Sequence, residues 1–244
     1  MMNQKQQLDA FGLDNGNPAS LLTKRPVLSE LVYDYMLDSI ANGTLRTGEK
    51  INAEGLSRKL NVSRTPIREA LRALEQNGLV VSVPFSGVYV SKLTIDEIQE
   101  LYNIRLLLEP YALQQSIEKI KDDDIQQLAA LQDQIESIID NPSSTPRLIF
   151  KHNQDFHMQL FSYSQMPKLC SIIEQLWYNL SFYRLLLAGQ SNYPAQLKDE
   201  HHAYLNALKQ RNSDELCSIC HNNLTKHVNQ MPAIVTKYYE SIKD

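Results

Sequence analysis

Val62-Ser63-Arg64-Thr65-Pro66-Ile67-Arg68-Glu69-Ala70-Leu71 sets two arginines four residues apart, with hydroxyl side chains beside them and Ile67, Ala70 and Leu71 at the remaining spacings. Residues four apart share a helix face, so Arg64 and Arg68 lie on one side and the apolar trio on the other. A helix laid in the major groove of duplex DNA needs planar donors near its N-terminus, where side chains meet base edges. It also needs basic or hydroxyl groups for the phosphates. Taken alone, such an arginine pair solvates a surface helix. The flanking sequence changes that reading.

Upstream, Leu28, Leu31, Val32, Tyr35, Met36 and Ile40 fall at the spacing of an amphipathic helix that Asn42-Gly43 stops. A second short helix is expected over 53–60 and a third over 64–76. Ser63 is placed as N-cap, Pro66 sits in the first turn, and Asn77-Gly78 suits a left-handed end. The period then changes. Two β-branched runs, 79–83 and 88–90, are separated by Pro84-Phe85-Ser86-Gly87 and read as a hairpin. Three helices and a hairpin make a winged helix-turn-helix.

Beyond it the pattern is helical. Thr94-Ile95-Asp96-Glu97 is a capping box, and Ile98, Leu101, Ile104, Leu108 and Ala112 follow on one stripe. Further periodic runs cover about 122–140, 147–163, 167–188, 194–210 and 213–239, divided by breakers such as those in 141–146. The fold class expected is mainly α: a winged helix-turn-helix, then an all-α bundle of six or so helices. The expected divisions are an arm over 1–25, a DNA-binding domain over 26–92 and a helical effector-binding and dimerisation domain over 93–240. Residues 91–94 act as the hinge.

Of 244 residues, 43% are hydrophobic, enough for a core, and three cysteines cannot build a disulfide framework. No apolar run is long enough to span a bilayer, and the expected location is cytoplasmic. The net charge of −4 divides into +2 for residues 1–92 and −6 for the rest. Residues 43–72 carry seven basic side chains (Arg46, Lys50, Arg58, Lys59, Arg64, Arg68, Arg72) against three acidic ones. An acidic whole is compatible with a nucleic-acid partner when the basic groups are concentrated.

The stretch "LVYDYMLDSIANGTLRTGEKINAEGLSRKLNVSRTPIREALRALEQNGLVVSVPFSGVYVSKLT" resembles the N-terminal domain of GntR-type bacterial transcription regulators. "ELYNIRLLLEPYAL", "NQDFHMQLF" and "EHHAYLNAL" resemble the FCD-type ligand-binding domain of the FadR subgroup. The resemblance implies a homodimer binding a palindromic double-stranded operator, its affinity set by a small-molecule effector. It implies that Arg64, Thr65 and Arg68 read bases, that Ser63 holds a phosphate and that the wing at Gly87 enters the minor groove. Gly55 stands where such proteins often carry a further arginine contact.

The same resemblance implies a metal or effector site from an Asp-x-x-x-His pair and two later histidines. The matching positions here are Asn153, His157, His201 and Asn223. Two amides in place of a carboxylate and an imidazole weaken a Zn, Ni or Mn site. A metal held by His157 and His201 and an organic ligand held by all four positions both stay open. Arg105 could clamp a carboxylate or simply pair with Glu109, four residues on. Cys217-x-x-Cys220 and the Trp177, Tyr178, Phe182 and Tyr183 series read as packing. The alternative function is a metal-dependent enzyme in the bundle with an appended DNA-binding head. It would need an activated water or a nucleophile with its base, and no such grouping is apparent.

Overall fold

The computed structural model describes residues 27–41, 43–91 and 94–241; the arm over 1–25, and Lys92 and Leu93 within the hinge, lie outside them. Three helices, α1 (Leu28–Ala41), α2 (Ala53–Leu60) and α3 (Arg64–Gln76), precede the strands β1 (Val80–Val83) and β2 (Gly87–Val90). Asn52 caps α2 by accepting the Gly55 N–H at 2.8 Å, and Asn61 closes it at φ 53°, a conformation asparagine tolerates. Ser63 takes the N-cap position of α3 in extended backbone but makes no side-chain bond to the helix, so its hydroxyl stays uncommitted there. Gly78, at φ +68°, turns the chain into the hairpin, whose register runs from Val80 opposite Val90 to Val83 opposite Gly87. Residues 49–51 lie along β2, with the Ile51 N–H donating to Val88 O at 2.8 Å. Met36, Ile40, Ile67, Leu74, Val80 and Val90 fill the core of this head.

Seven helices follow: α4 (Ile95–Ile117), α5 (Asp122–Ile139), α6 (Pro146–Ser162), α7 (Pro167–Asn179), α8 (Ser181–Ala188), α9 (Tyr193–Lys209) and α10 (Ser213–Ser241). Thr94 and Glu97 form the expected capping box, Thr94 N–H to Glu97 Oε2 at 2.6 Å and Glu97 N–H to Thr94 Oγ1 at 3.2 Å. The long α4 packs along α10, and α5 packs on α6 and α9.

The run read as one segment over 167–188 divides at Leu180. There the Ser181 hydroxyl donates to Trp177 O at 3.3 Å, a carbonyl that a continuous helix reserves for its own backbone. The break has a consequence. Seven residues along a straight helix separate two positions by about 10 Å of rise, yet the Arg184 guanidinium carbon lies 3.4 Å from the centre of the Trp177 ring.

The head sits directly on the bundle. Arg147, in the first turn of α6, pairs with Asp34 and with Asp38 at 2.9 Å, both on α1. The Tyr238 hydroxyl of α10 donates to Ile40 O at 2.7 Å in a buried contact, and Gln175 Nε2 donates to Gln76 O at 2.8 Å. Phe182 and Tyr183 of α8 face Ile40, Gly78, Leu79 and Ser91 across the seam. Because the Arg147 pairs are partly exposed, their loss costs about 1 kcal/mol. Arg147→Ala is therefore expected to lower the melting temperature by no more than a few degrees while loosening the seat. Limited proteolysis near residues 91–94 checks this: cleavage should accelerate severalfold, and an unchanged rate would show that the pairs do not hold the head.

Candidate nucleic-acid interface and effector cavity

Ser63, Arg64, Thr65 and Arg68 are all exposed on one side of α3, whereas Pro66, Ile67, Ala70, Leu71 and Leu74 are buried on the other. All seven basic side chains of residues 43–72 are exposed. Arg64 Nη2 is paired with Glu54 Oε1 at 2.5 Å, in an exposed contact that water and salt screen easily. At the wing, beside Lys50, Gly87 has φ +127°, a backbone conformation that side chains rarely adopt, so this turn favours glycine. Gly55 has a local reason too: a Cβ would stand 3.0 Å from the Asn52 side chain that caps α2. A side chain at this position would need the Asn52 cap to give by a few tenths of an ångström.

A second site lies inside the bundle. A cavity of about 20 Å³ is lined by Arg105 and Glu109 of α4, Asn153 and His157 of α6, Trp177, Arg184, Glu200 and Tyr204, and by Asn223, Leu224 and His227 of α10. Of the residues expected from the sequence, Arg105, Asn153, His157 and Asn223 reach this wall. His201 is fully buried and set behind it, stacked on Phe156 at 3.9 Å between ring centres.

Arg105 makes the expected pair with Glu109, its Nε donating to Oε1 at 2.6 Å, while Nη1 is buried with no hydrogen-bond partner. The Trp177 indole N–H donates to the same Glu109 oxygen at 2.7 Å. The indole face carries both guanidiniums, Arg105 at 4.7 Å and Arg184 at 3.4 Å from the ring centre. Burial, with the Arg105 charge nearby, pulls the Arg184 pKa down to about 10. Burial also pushes the Cys220 thiol well up, which keeps it protonated and suits a packing role.

Neither Arg184 nor His227 is singled out by the sequence analysis. A single charged residue inside the apolar run Ser181-Phe182-Tyr183-Arg184-Leu185-Leu186-Leu187-Ala188 was the available signal for the first. His227 lies one turn from Asn223, and both face the cavity.

The donor set does not suit a metal. His201 Nδ1 lies 2.7 Å from Gln132 Oε1, and Nε2 lies 3.0 Å from the Asn153 amide, whose other end meets the Tyr193 hydroxyl at 2.9 Å. Burial holds the His201 pKa down at about 3, so the ring is neutral and has a single N–H. Gln132 Nε2 donates to Glu136 at 2.9 Å, which leaves Gln132 Oε1 to accept from Nδ1–H. Nε2 is then an acceptor facing Asn153 Oδ1, and turning this amide over lets its N–H satisfy Nε2 and its oxygen accept from the Tyr193 hydroxyl. Both His201 nitrogens are occupied. Among the described residues, no group of three or more His, Cys, Asp or Glu is placed to hold a metal ion.

Such a head on an α-helical bundle has the form of a DNA-binding protein, and the bundle encloses a small polar cavity. Comparison with known proteins makes the class specific. The family of bacterial regulatory proteins called gntR matches residues 28–90, and the FCD domain matches residues 100–226. The chain belongs to this family of transcription regulators.

It is 29% identical over 207 residues to the HTH-type transcriptional regulator YdhC of Bacillus subtilis (strain 168), covering 85% of this chain and 88% of that protein. It is 27% identical to the HTH-type transcriptional regulator McbR of Escherichia coli (strain K12), covering 91% and 99%. The solved structure of McbR superposes with a TM-score of 0.65 over 88% of this chain and all of that one, at 25% identity. The HTH-type transcriptional repressor RspR of the same organism is 22% identical over 89% of this chain and 92% of its own. These relatives are regulators, and none supports the enzyme alternative. No helix among the described residues is long and apolar enough to cross a membrane.

Burial lowers the pKa of His157, His201 and His227 alike. The unfolded chain takes up these protons near pH 6.5 and the folded chain does not, so stability falls as pH drops below 6.5. For His201 the loss continues down to about pH 3. Between pH 7 and pH 5 this one imidazole removes about 2 kcal/mol. Calorimetric unfolding of wild type and His201→Gln at both pH values checks it: wild type should lose about 2 kcal/mol more than the variant, and equal losses would contradict a neutral His201.

Proposed function

We propose that the chain acts in the cytoplasm as a homodimeric repressor that binds a palindromic operator through residues 26–92 and senses a small organic acid through residues 93–240. The observation that carries the reading is the exposed face of α3, where Arg64 and Arg68 stand together above a buried apolar side. Arg64 and Arg68 offer bidentate donors to guanine edges, Thr65 lies beside them, and Ser63 supplies a hydroxyl for a phosphate. The wing turn at Gly87 carries Lys50 beside it into the neighbouring minor groove. RspR, named a repressor, supports the direction of control.

In the bundle, Arg105, Asn153, His157 and Asn223 present polar groups to the effector, and His201 positions Asn153 from behind. The coupling runs through α8, because Arg184 on the cavity wall follows Phe182 and Tyr183, which touch the head. A ligand changes operator affinity only as far as it binds one placement of the heads better than another.

Arg64→Ala and Arg68→Ala should each weaken specific operator binding by at least tenfold, in line with about 1–3 kcal/mol per bidentate base contact. Melting temperatures should stay within a degree or two, since both side chains are exposed. Fluorescence anisotropy with operator and scrambled duplexes, at fixed salt, reads both affinity and specificity. Unchanged affinity in either variant would overturn the assignment of α3 as the reading helix.

A further inference from the structure

The hairpin of the head ends in an exposed aromatic ring. Phe85 is fully exposed, more so than any other large apolar side chain among the described residues, and Val81 and Val83, on one face of β1, are exposed below it. Single apolar side chains on a surface are ordinary. A bare phenylalanine at the apex of a loop, with two valines leading up to it, marks a surface that meets something.

The backbone holds the ring there against local preference. Ser86 N–H donates to Val83 O at 3.0 Å and closes a four-residue turn in which Pro84 is second and Phe85 third, at φ 61°. Pro84 fixes the first corner. A positive φ at the third position is the type II pattern, which ordinarily takes glycine or asparagine, so a bulky aromatic is strained in it. The Ser86 hydroxyl lies 2.6 Å from that of Tyr89, which ties the turn to β2. Strain of this kind persists where its surroundings enforce it, and it collects at functional sites.

The surroundings indicate the partner. Residues 79–91 carry no charged side chain, Lys50 stands beside Gly87, and the same head presents the arginines of α3. A tip without carboxylates and with a cation beside it approaches phosphates freely, but a phenyl ring gains nothing from them. Its favourable contact in DNA is the face of a base, reached from the minor groove when a step opens. Apolar wedges act in this way, parting two stacked pairs and kinking the duplex.

We propose that Phe85 is such a wedge: on the reading of residues 26–92 as an operator-binding head, on which this rests, its ring inserts between two base pairs from the minor groove and bends the operator. The strained turn holds the ring outward before DNA arrives, so insertion loses little conformational freedom. Pyrimidine–purine steps open most easily. The wing thereby selects TA or CA steps at a position where no hydrogen bond reads the base.

The probe is a duplex that full-length protein selects from a randomised pool. With a donor and an acceptor dye at its ends, it should show increased energy transfer on binding, for a bend of about 20–90°. 2-Aminopurine at the opened step should brighten as it unstacks. Phe85→Asn removes the wedge but suits a positive φ, so it should melt no lower than wild type. It should lose the bend and the 2-aminopurine signal, and its affinity should fall about tenfold. Phe85→Leu, still an apolar wedge, should restore most of the bend. Changing the opened step to purine–purine should weaken wild type and leave Phe85→Asn nearly unaffected.

Equal bending by wild type and Phe85→Asn would overturn the proposal, as would a selected duplex that stays straight with wild type. In both cases selective binding leaves the regulator reading intact. An altered oligomeric state of Phe85→Asn without DNA, read by light scattering, would assign the ring to a protein contact and also overturn it. Failure to enrich any duplex would overturn the operator reading together with the wedge.

Discussion

The indole of Trp177 is the contact on which the interior of the bundle depends. Its N–H fixes the Glu109 carboxylate, Glu109 fixes Arg105, and its ring face supports both Arg105 and Arg184. Buried guanidiniums are tolerated only with good hydrogen-bond geometry and a polarisable neighbour. One side chain supplies the neighbour to both arginines and the anchor for their shared counter-ion. Trp177 and Arg184 lie on either side of the interruption at Leu180, on α7 and α8.

That interruption also defines α8 as a short element with two duties. Arg184 faces the cavity, and Phe182 and Tyr183 face α1, the start of the hairpin and Ser91. Phe182 further stacks edge-to-face on Tyr238, whose hydroxyl holds the Ile40 carbonyl. A displacement of Arg184 toward an acceptor in the cavity therefore acts on a helix of eight residues that carries part of the head's seat. Packed interiors pass such shifts on rather than absorb them.

The head was legible in the sequence because its signals are local. Ser63, Asn77-Gly78 and the change of period that follows fix the boundaries within a few residues, and α2 and α3 fall where expected. The cavity was legible only in part. Periodicity assigns a residue to a face but not to the neighbours that face will meet. Asn153 and His157 lie on the inward side of α6 as read, yet His201 turns to Gln132, 69 residues away, a partner no spacing rule selects. Arg184 was hidden for the opposite reason: in an apolar run a charge breaks the pattern, and its purpose shows only when α4 and Trp177 are beside it.

The protein uses guanidinium chemistry twice under different physical conditions. On α3 the arginines are exposed, Arg64 at 73% of its side-chain surface, and their attraction to phosphates is screened by salt and accompanied by counter-ion release. In the bundle, Arg105 and Arg184 are nearly inaccessible, so screening is weak and the sign of a ligand's charge is felt in full. Neutral imidazoles at 157, 201 and 227 add no positive charge, and asparagine at 153 adds no negative one that would draw a cation. The positive character of the cavity thus follows from the residues it lacks as much as from its two arginines. Salt that screens the exposed arginines of α3 leaves the buried pair largely unscreened, so the two guanidinium pairs stand in separate electrostatic regimes.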